Sequence, residues 1–156
     1  DQFVAWKIRT TNPLVIEYYI NYSEIDAELT ATAFASSAYY PWHLYAIGLR
    51  AEEEGKLAFS ASKAEEKNIE WMNYIGGPSL PILKDVVERC EKEGYVPFKN
   101  FVGKYVDTSV AKERFSSMKK FYEKYGHFWI SNGPYYLEKV DVVAHTALLR
   151  NSKFLK

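Results

Sequence analysis

The hydrophobic pattern changes period along the chain, alternating at both ends and running at helical spacing in between. Phe3–Arg9 (FVAWKIR) and Leu14–Asn21 (LVIEYYIN) are rich in β-branched and aromatic residues, with Thr10-Thr11-Asn12-Pro13 as a polar turn. That pattern predicts an antiparallel hairpin. Ser23 followed by Asp26 resembles a capping box and predicts a short helix from Glu24. Pro41 suits the first turn of a helix, with Leu44, Ile47 and Ala51 as its apolar stripe and Gly55 as its stop. Glu52-Glu53-Glu54 then reads as a solvated face. Ser62 and Glu65 predict a capped helix through Ile75, stopped by Gly76-Gly77. Its inner stripe is Ala61, Ala64, Asn68, Trp71, Met72 and Ile75.

Ser79 caps the next predicted helix, with Pro81 in its first turn and Gly94 at its end. Leu80, Leu83, Val87 and Cys90 share one face of it. Tyr95–Tyr105, holding Pro97 and Gly103, reads as a loop. Asp107 or Thr108 then caps a helix to Tyr125, with Ala111, Phe115, Met118, Tyr122 and Tyr125 aligned and Gly126 as the C′ residue. Beyond it come an aromatic, β-branched Phe128–Ile130 and a turn at Asn132-Gly133-Pro134. Tyr135–Val140 and Ala144–Arg150 follow as two further strands. The order implies an α+β fold: an N-terminal β-hairpin, a helical middle, and C-terminal strands free to join the first ones in one sheet. A single domain over residues 1–156 is expected.

Composition narrows the function classes. Apolar and charged contents of 47% and 26% are ordinary, whereas 13 Tyr, 9 Phe and 4 Trp make an unusual 17% aromatic. Lys+Arg and Asp+Glu stand at 20 each, leaving no net field to draw nucleic acid or anionic lipid. A lone Cys90 excludes an internal disulfide and a multi-thiolate metal site, and its stripe position predicts an inert buried thiol. Leu29–Leu49 lacks Lys, Arg, Asp and Glu and has the length of a bilayer span. Thr30, Thr32, Ser36, Ser37, Pro41 and His43 make it too polar and broken, so no membrane span is expected. The chain opens on Asp1 with no charged-then-apolar leader, which reads as an excised piece of a longer protein.

Motifs for catalysis are absent: there is no Gly-rich phosphate loop, HExxH, GxSxG or EF-hand pattern. His43, His127 and His145 lack ligand spacing, so no metal or cofactor is expected, and His43 is assigned to a helix surface or groove. Most carboxylates fall beside Lys on helix faces, and no acid/base pair stands out. A binding role therefore fits better than an enzyme. Asn21-Tyr22-Ser23 is a formal glycosylation sequon, a pattern common by chance.

What remains is aromatic clustering beside helix breakers, in Tyr39-Tyr40-Pro41-Trp42-His43-Leu44-Tyr45, Trp71-Met72-Asn73-Tyr74 and Phe128-Trp129 with Tyr135-Tyr136. Core packing accounts for most such residues, yet Trp and Tyr also suit a site for extended polar ligands. Asn68, polar on an apolar stripe, either ties down a loop or faces a ligand.

Ser131-Asn132-Gly133-Pro134-Tyr135-Tyr136-Leu137 resembles the Gly-x-Gly-Pro-Tyr-type turn and strand of extracellular solute-binding proteins of the oligopeptide/dipeptide ABC-importer class. GHFWISNGPYYLEKVDVVAHTALLRN is similar to the C-terminal portion of archaeal members, as are PWHLYAIGLRAEEEGKLAFS and SKAEEKNIEWMNYIGGPS. The resemblance covers about Pro41 to Asn151. Better-known bacterial members carry the comparable turn earlier in the chain. The resemblance implies a late segment or lobe of a two-lobed, periplasmic-binding-protein-like architecture, tethered at the cell surface and delivering a peptide to an ABC permease. Trp42, Trp71, Trp129, Asn132 and Tyr135 are then the expected groove residues, with Asn68 beside them. An oligosaccharide-binding protein of the same architecture and an interaction domain without a small ligand remain as alternatives.

Overall fold

The computed structural model describes residues 3–23, 25–34 and 40–152. Contacts divide the chain into two units, with the boundary between Ala38 and Tyr39.

The first unit holds the expected hairpin. Strand β1 (Phe3–Thr11) pairs antiparallel with β2 (Leu14–Ile20) around a turn at Asn12-Pro13. Trp6 faces Tyr18 and Ile8 faces Ile16 across the ladder, so these four side chains share one face of the ribbon. Lys7 opposite Glu17 lies on the other face, where Arg9 donates to Glu17 at 2.7 Å. Helix α1 (Ala27–Phe34) follows, and its cap is Asp26, whose Oδ1 accepts from Glu28 N at 2.9 Å and Leu29 N at 3.1 Å. The expected helix start at Glu24 lies outside the described residues.

The core of the second unit is formed by three of its helices. Helix α2 (Trp42–Glu53) starts one residue later than expected, with Pro41 as its extended cap and not in its first turn, and α4 (Ser79–Glu93) packs against both α2 and α6 (Thr108–Tyr125). Ile47 and Ala51 from α2, Leu83, Val87 and Cys90 from α4, and Phe115 from α6 are fully buried in one core. Local signals set the ends. Asp107 Oδ1 accepts from Ser109 N and Val110 N at the start of α6, while Gly94 and Gly126 close α4 and α6 with φ of 66° and 76°. Burial raises the Cys90 thiol to about 11, in keeping with an inert side chain. The start of α4 departs from expectation, since Pro78 is its cap and Ser79 is already helical.

The three-glutamate run is not a simple solvated face. Arg89 grips Glu54 with both terminal nitrogens, at 2.5 and 2.7 Å, and Arg50 grips Glu93 at 2.6 and 3.0 Å. These forks join α2 to α4. The Arg89 guanidinium holds the Glu54 carboxyl down at about 2. Glu52 in turn accepts from Phe59 N at 2.9 Å and pairs with Lys63.

The predicted helix through Ile75 is corrected. Ser60, not Ser62, caps α3 (Ala61–Lys67), which ends at Asn68 in the left-handed region with φ 51°. Asn tolerates that conformation and so ends the helix where Gly often does. The chain then runs as β4 (Glu70–Trp71), parallel to β3 (Leu57–Ala58). Asn68 is therefore exposed, not on an apolar stripe. Tyr95–Tyr105 is likewise not all loop, because it contains the short helix α5 (Lys99–Val102).

Phe128–Ile130 is extended loop, and the last two strands, β5 (Tyr135–Asp141) and β6 (Thr146–Asn151), form their own antiparallel hairpin. The expectation of one sheet shared by the first and last strands is overturned. Among the described residues there are three separate two-stranded sheets, β1–β2, β3–β4 and β5–β6. Each hairpin closes its ladder with its neighbour in sequence, which costs the least loop entropy.

Candidate functional site

A shallow pocket of about 350 Å³ opens beside β4, lined by Glu70, Trp71, Met72, Asn73, Tyr74 and Trp129. Two of the expected groove residues, Trp71 and Trp129, thus meet although they lie far apart in the chain. Trp71 spends its indole N–H on Phe59 O at 3.2 Å, which fixes the ring while leaving the side chain 60% exposed. Trp129 is carried on the loop after α6. That loop is fastened to the opposite wall by Phe128 N donating to Tyr74 O at 2.8 Å. The Tyr40 ring packs edge-on to Trp129 at 4.9 Å and lies 6.2 Å from Tyr45.

The pocket floor is locked from beneath. Tyr74 donates its hydroxyl to Leu44 O at 3.3 Å, and burial raises its pKa. Gly48 of α2 leaves room for this contact: a Cβ there would stand 2.1 Å from the Tyr74 hydroxyl and 2.8 Å from Met72 Sδ. Ser79 accepts from Asn73 N at 3.0 Å, and Asn73 Oδ1 accepts from Ile75 N and Gly76 N at 2.8 and 3.2 Å.

Three polar groups at this pocket have no hydrogen-bond partner among the described residues: the Glu70 carboxylate, the Asn73 side-chain amide nitrogen and the Trp129 indole N–H. One accepts and two donate. Beside broad aromatic faces, this set matches a ligand carrying both amide-type carbonyls and N–H or O–H groups. No second carboxylate, histidine, lysine or arginine joins Glu70 in the lining.

The other expected residues lie elsewhere. Trp42 is half-buried and packs edge-on to Phe115 at 5.8 Å, on the core side of α2. Asn68 caps α3. Asn132 is exposed on the turn before β5 and Tyr135 is exposed at the first position of β5, both outside the pocket lining. Glu70 and Asn73 were missed by sequence reasoning, and the signal available was their position flanking Trp71-Met72.

The histidines differ from expectation too. His43 is 9% exposed, not on a surface, and its Nδ1 has no partner among the described residues. Burial, with Arg114 nearby, lowers its pKa from 6.5 to about 4. His127 is buried, and its Nδ1 accepts from Trp129 N at 3.2 Å, which helps to hold the Trp129 backbone. Among the described residues no three His, Cys, Asp or Glu side chains gather as a metal-binding group. Nor is any described helix long and apolar enough to cross a membrane.

No protein-family model matches the chain, and no curated protein matches it.

Proposed function

We propose that the chain is part of an extracellular solute-binding protein and holds its ligand by binding, without catalysis. An oligopeptide or dipeptide is the proposed ligand, delivered by the whole protein to an ABC permease. The resemblance of the Pro41–Asn151 stretch to that class supports the cellular setting. The observation that carries the site is the convergence of Trp71 and Trp129 on one pocket with the uncommitted Glu70 carboxylate and Asn73 amide. An extended peptide presents alternating carbonyls and N–H groups along an otherwise apolar ribbon. The two indoles would cover it, Asn73 and Trp129 would donate to its carbonyls, and Glu70 would accept from an N–H or amino group.

A second reading has its own observation. The exposed face of Trp71 is as well suited to stacking on a sugar ring, so an oligosaccharide is the rival ligand. A thermal melt with mixed di- to decapeptides, and separately with oligosaccharides, tests both. Ligand at 100 times its dissociation constant adds about 2.7 kcal/mol, which for a chain of this size raises the midpoint by roughly 5–10 °C. A rise with peptides alone supports the proposal, and a rise with sugars alone replaces it. A cooperative melt unmoved by either pool favours an interaction domain.

A further inference from the structure

A second pocket, of about 370 Å³, lies along the C-terminal half of α6. Ser117, Lys120, Phe121, Lys124 and Tyr125 recur at helical spacing to form one wall, and the loop at Ile130 and Ser131 with Tyr136 of β5 forms the other. Its volume falls at the small end of the roughly 300–1,000 Å³ range of ligand sites. The floor is a run of rings. Phe121 lies 4.6 Å from Tyr125, Tyr125 lies 5.4 Å from Tyr136, and the buried imidazole of His127 backs Phe121 at 5.4 Å.

The rim is cationic. Lys120 and Lys124 stand one helical turn apart, and no acidic residue lines the pocket. Neighbouring charges are spoken for, since Glu91 takes Lys119 at 2.6 Å and Glu138 takes Arg150. Among the described residues neither Lys120 nor Lys124 forms an ion pair, while Lys124 Nζ rests 5.0 Å from the centre of the Tyr125 ring. Mutually tilted rings, with Tyr125 bonded through its hydroxyl to Tyr136 and Lys124, lie below two lysines that no carboxylate pairs, and this set favours one chemistry: an aromatic ring bearing a carboxylate.

We propose that this pocket binds aromatic carboxylates, with the ring on Phe121, Tyr125 and Tyr136 and the carboxylate between Lys120 and Lys124. The ligand is either a free aromatic acid or the C-terminal aromatic residue of a peptide. The site is independent of the Trp71–Trp129 pocket and stands whether or not that pocket takes peptides.

The test is calorimetric titration of the 156-residue chain, at low salt, with phenylacetate and with phenylacetamide, which differ in charge but hardly in shape. The acid should bind at least about tenfold more tightly than the amide, with the gap narrowing as salt rises. The K120Q/K124Q double variant should lose that advantage while melting at the wild-type midpoint, because both side chains are exposed. N-acetylglycylphenylalanine separates the sources. Tighter binding than phenylacetate assigns a peptide C-terminus, and equal or weaker binding assigns the free acid. Equal affinity for acid and amide, acid binding retained by the double variant, or no binding of either probe would overturn the proposal.

Discussion

The hairpin β1–β2 and the three-helix core use the same apolar residue types with opposite results. In the core, Ile47, Leu83, Val87 and Phe115 are completely buried. On the hairpin, Val4 is 64%, Leu14 62%, Tyr18 52% and Trp6 45% exposed. The difference is one of geometry, not hydrophobicity. Three helices enclose a volume, so each stripe finds two partners, whereas a two-stranded ribbon has two open faces and two open edges. A two-stranded hairpin by itself is at best marginally stable in water. In the helical unit, by contrast, the core residues are fully buried while Trp71 outside the core stays 60% exposed.

Substitutions in the two regions should differ in cost. The largest effect is expected for Phe115→Ala, which should cost about 3–5 kcal/mol in urea unfolding. Trp6→Ala, on the half-exposed ribbon, should cost about 1 kcal/mol or less, and a loss as large as that at Phe115 would show the hairpin to be core after all.

Acid should act next. With its pKa lowered from 6.5 to about 4, folded His43 refuses a proton that the unfolded chain accepts. This contribution is therefore full well above pH 6.5 and is lost as pH falls through 6.5 toward 4, by at most about 3–4 kcal/mol from the pKa difference at 1.36 kcal/mol per unit. Urea midpoints across that window should flatten in His43→Gln. Glu54, depressed to about 2, works in a lower window: its contribution holds above about 4.5 and is lost between there and 2. A Glu54→Gln variant should lose only that lower step.

Gly48→Ala should follow in size. Its new methyl collides with Tyr74 and Met72, at a cost of about 1–3 kcal/mol. Because those two residues line the Trp71 pocket, ligand affinity should fall along with the melting midpoint.

Elements with chemical punctuation were legible in the sequence. Pro81 and Gly94 bracketed α4, Asp107 and Gly126 bracketed α6, and the alternating stretches at either end became hairpins. The failures share a cause. The apolar spacing from Ala61 to Ile75 suggested one helix, but a left-handed Asn68 and pairing of β4 with β3 outweighed it. Periodicity does not see a non-local ladder. The same limit separated the sheets, because alternation marks a strand without naming its partner. At the site, the aromatic clusters named Trp71 and Trp129, while the Phe128-to-Tyr74 hydrogen bond that brings their loops together could not be read from spacing. Burial of His43 was equally hidden, since a polar residue in a first turn fits either face until the packing helices are known.

If ligand is held by the Trp71 pocket and not by the core, Trp71→Ala separates binding from stability. Melting midpoints of the wild-type chain and this variant would be compared with and without the peptide pool. Trp71 is 60% exposed, so the ligand-free midpoint should fall by no more than a few degrees, while the roughly 5–10 °C rise with peptides should vanish. An undiminished rise in the variant would contradict the account.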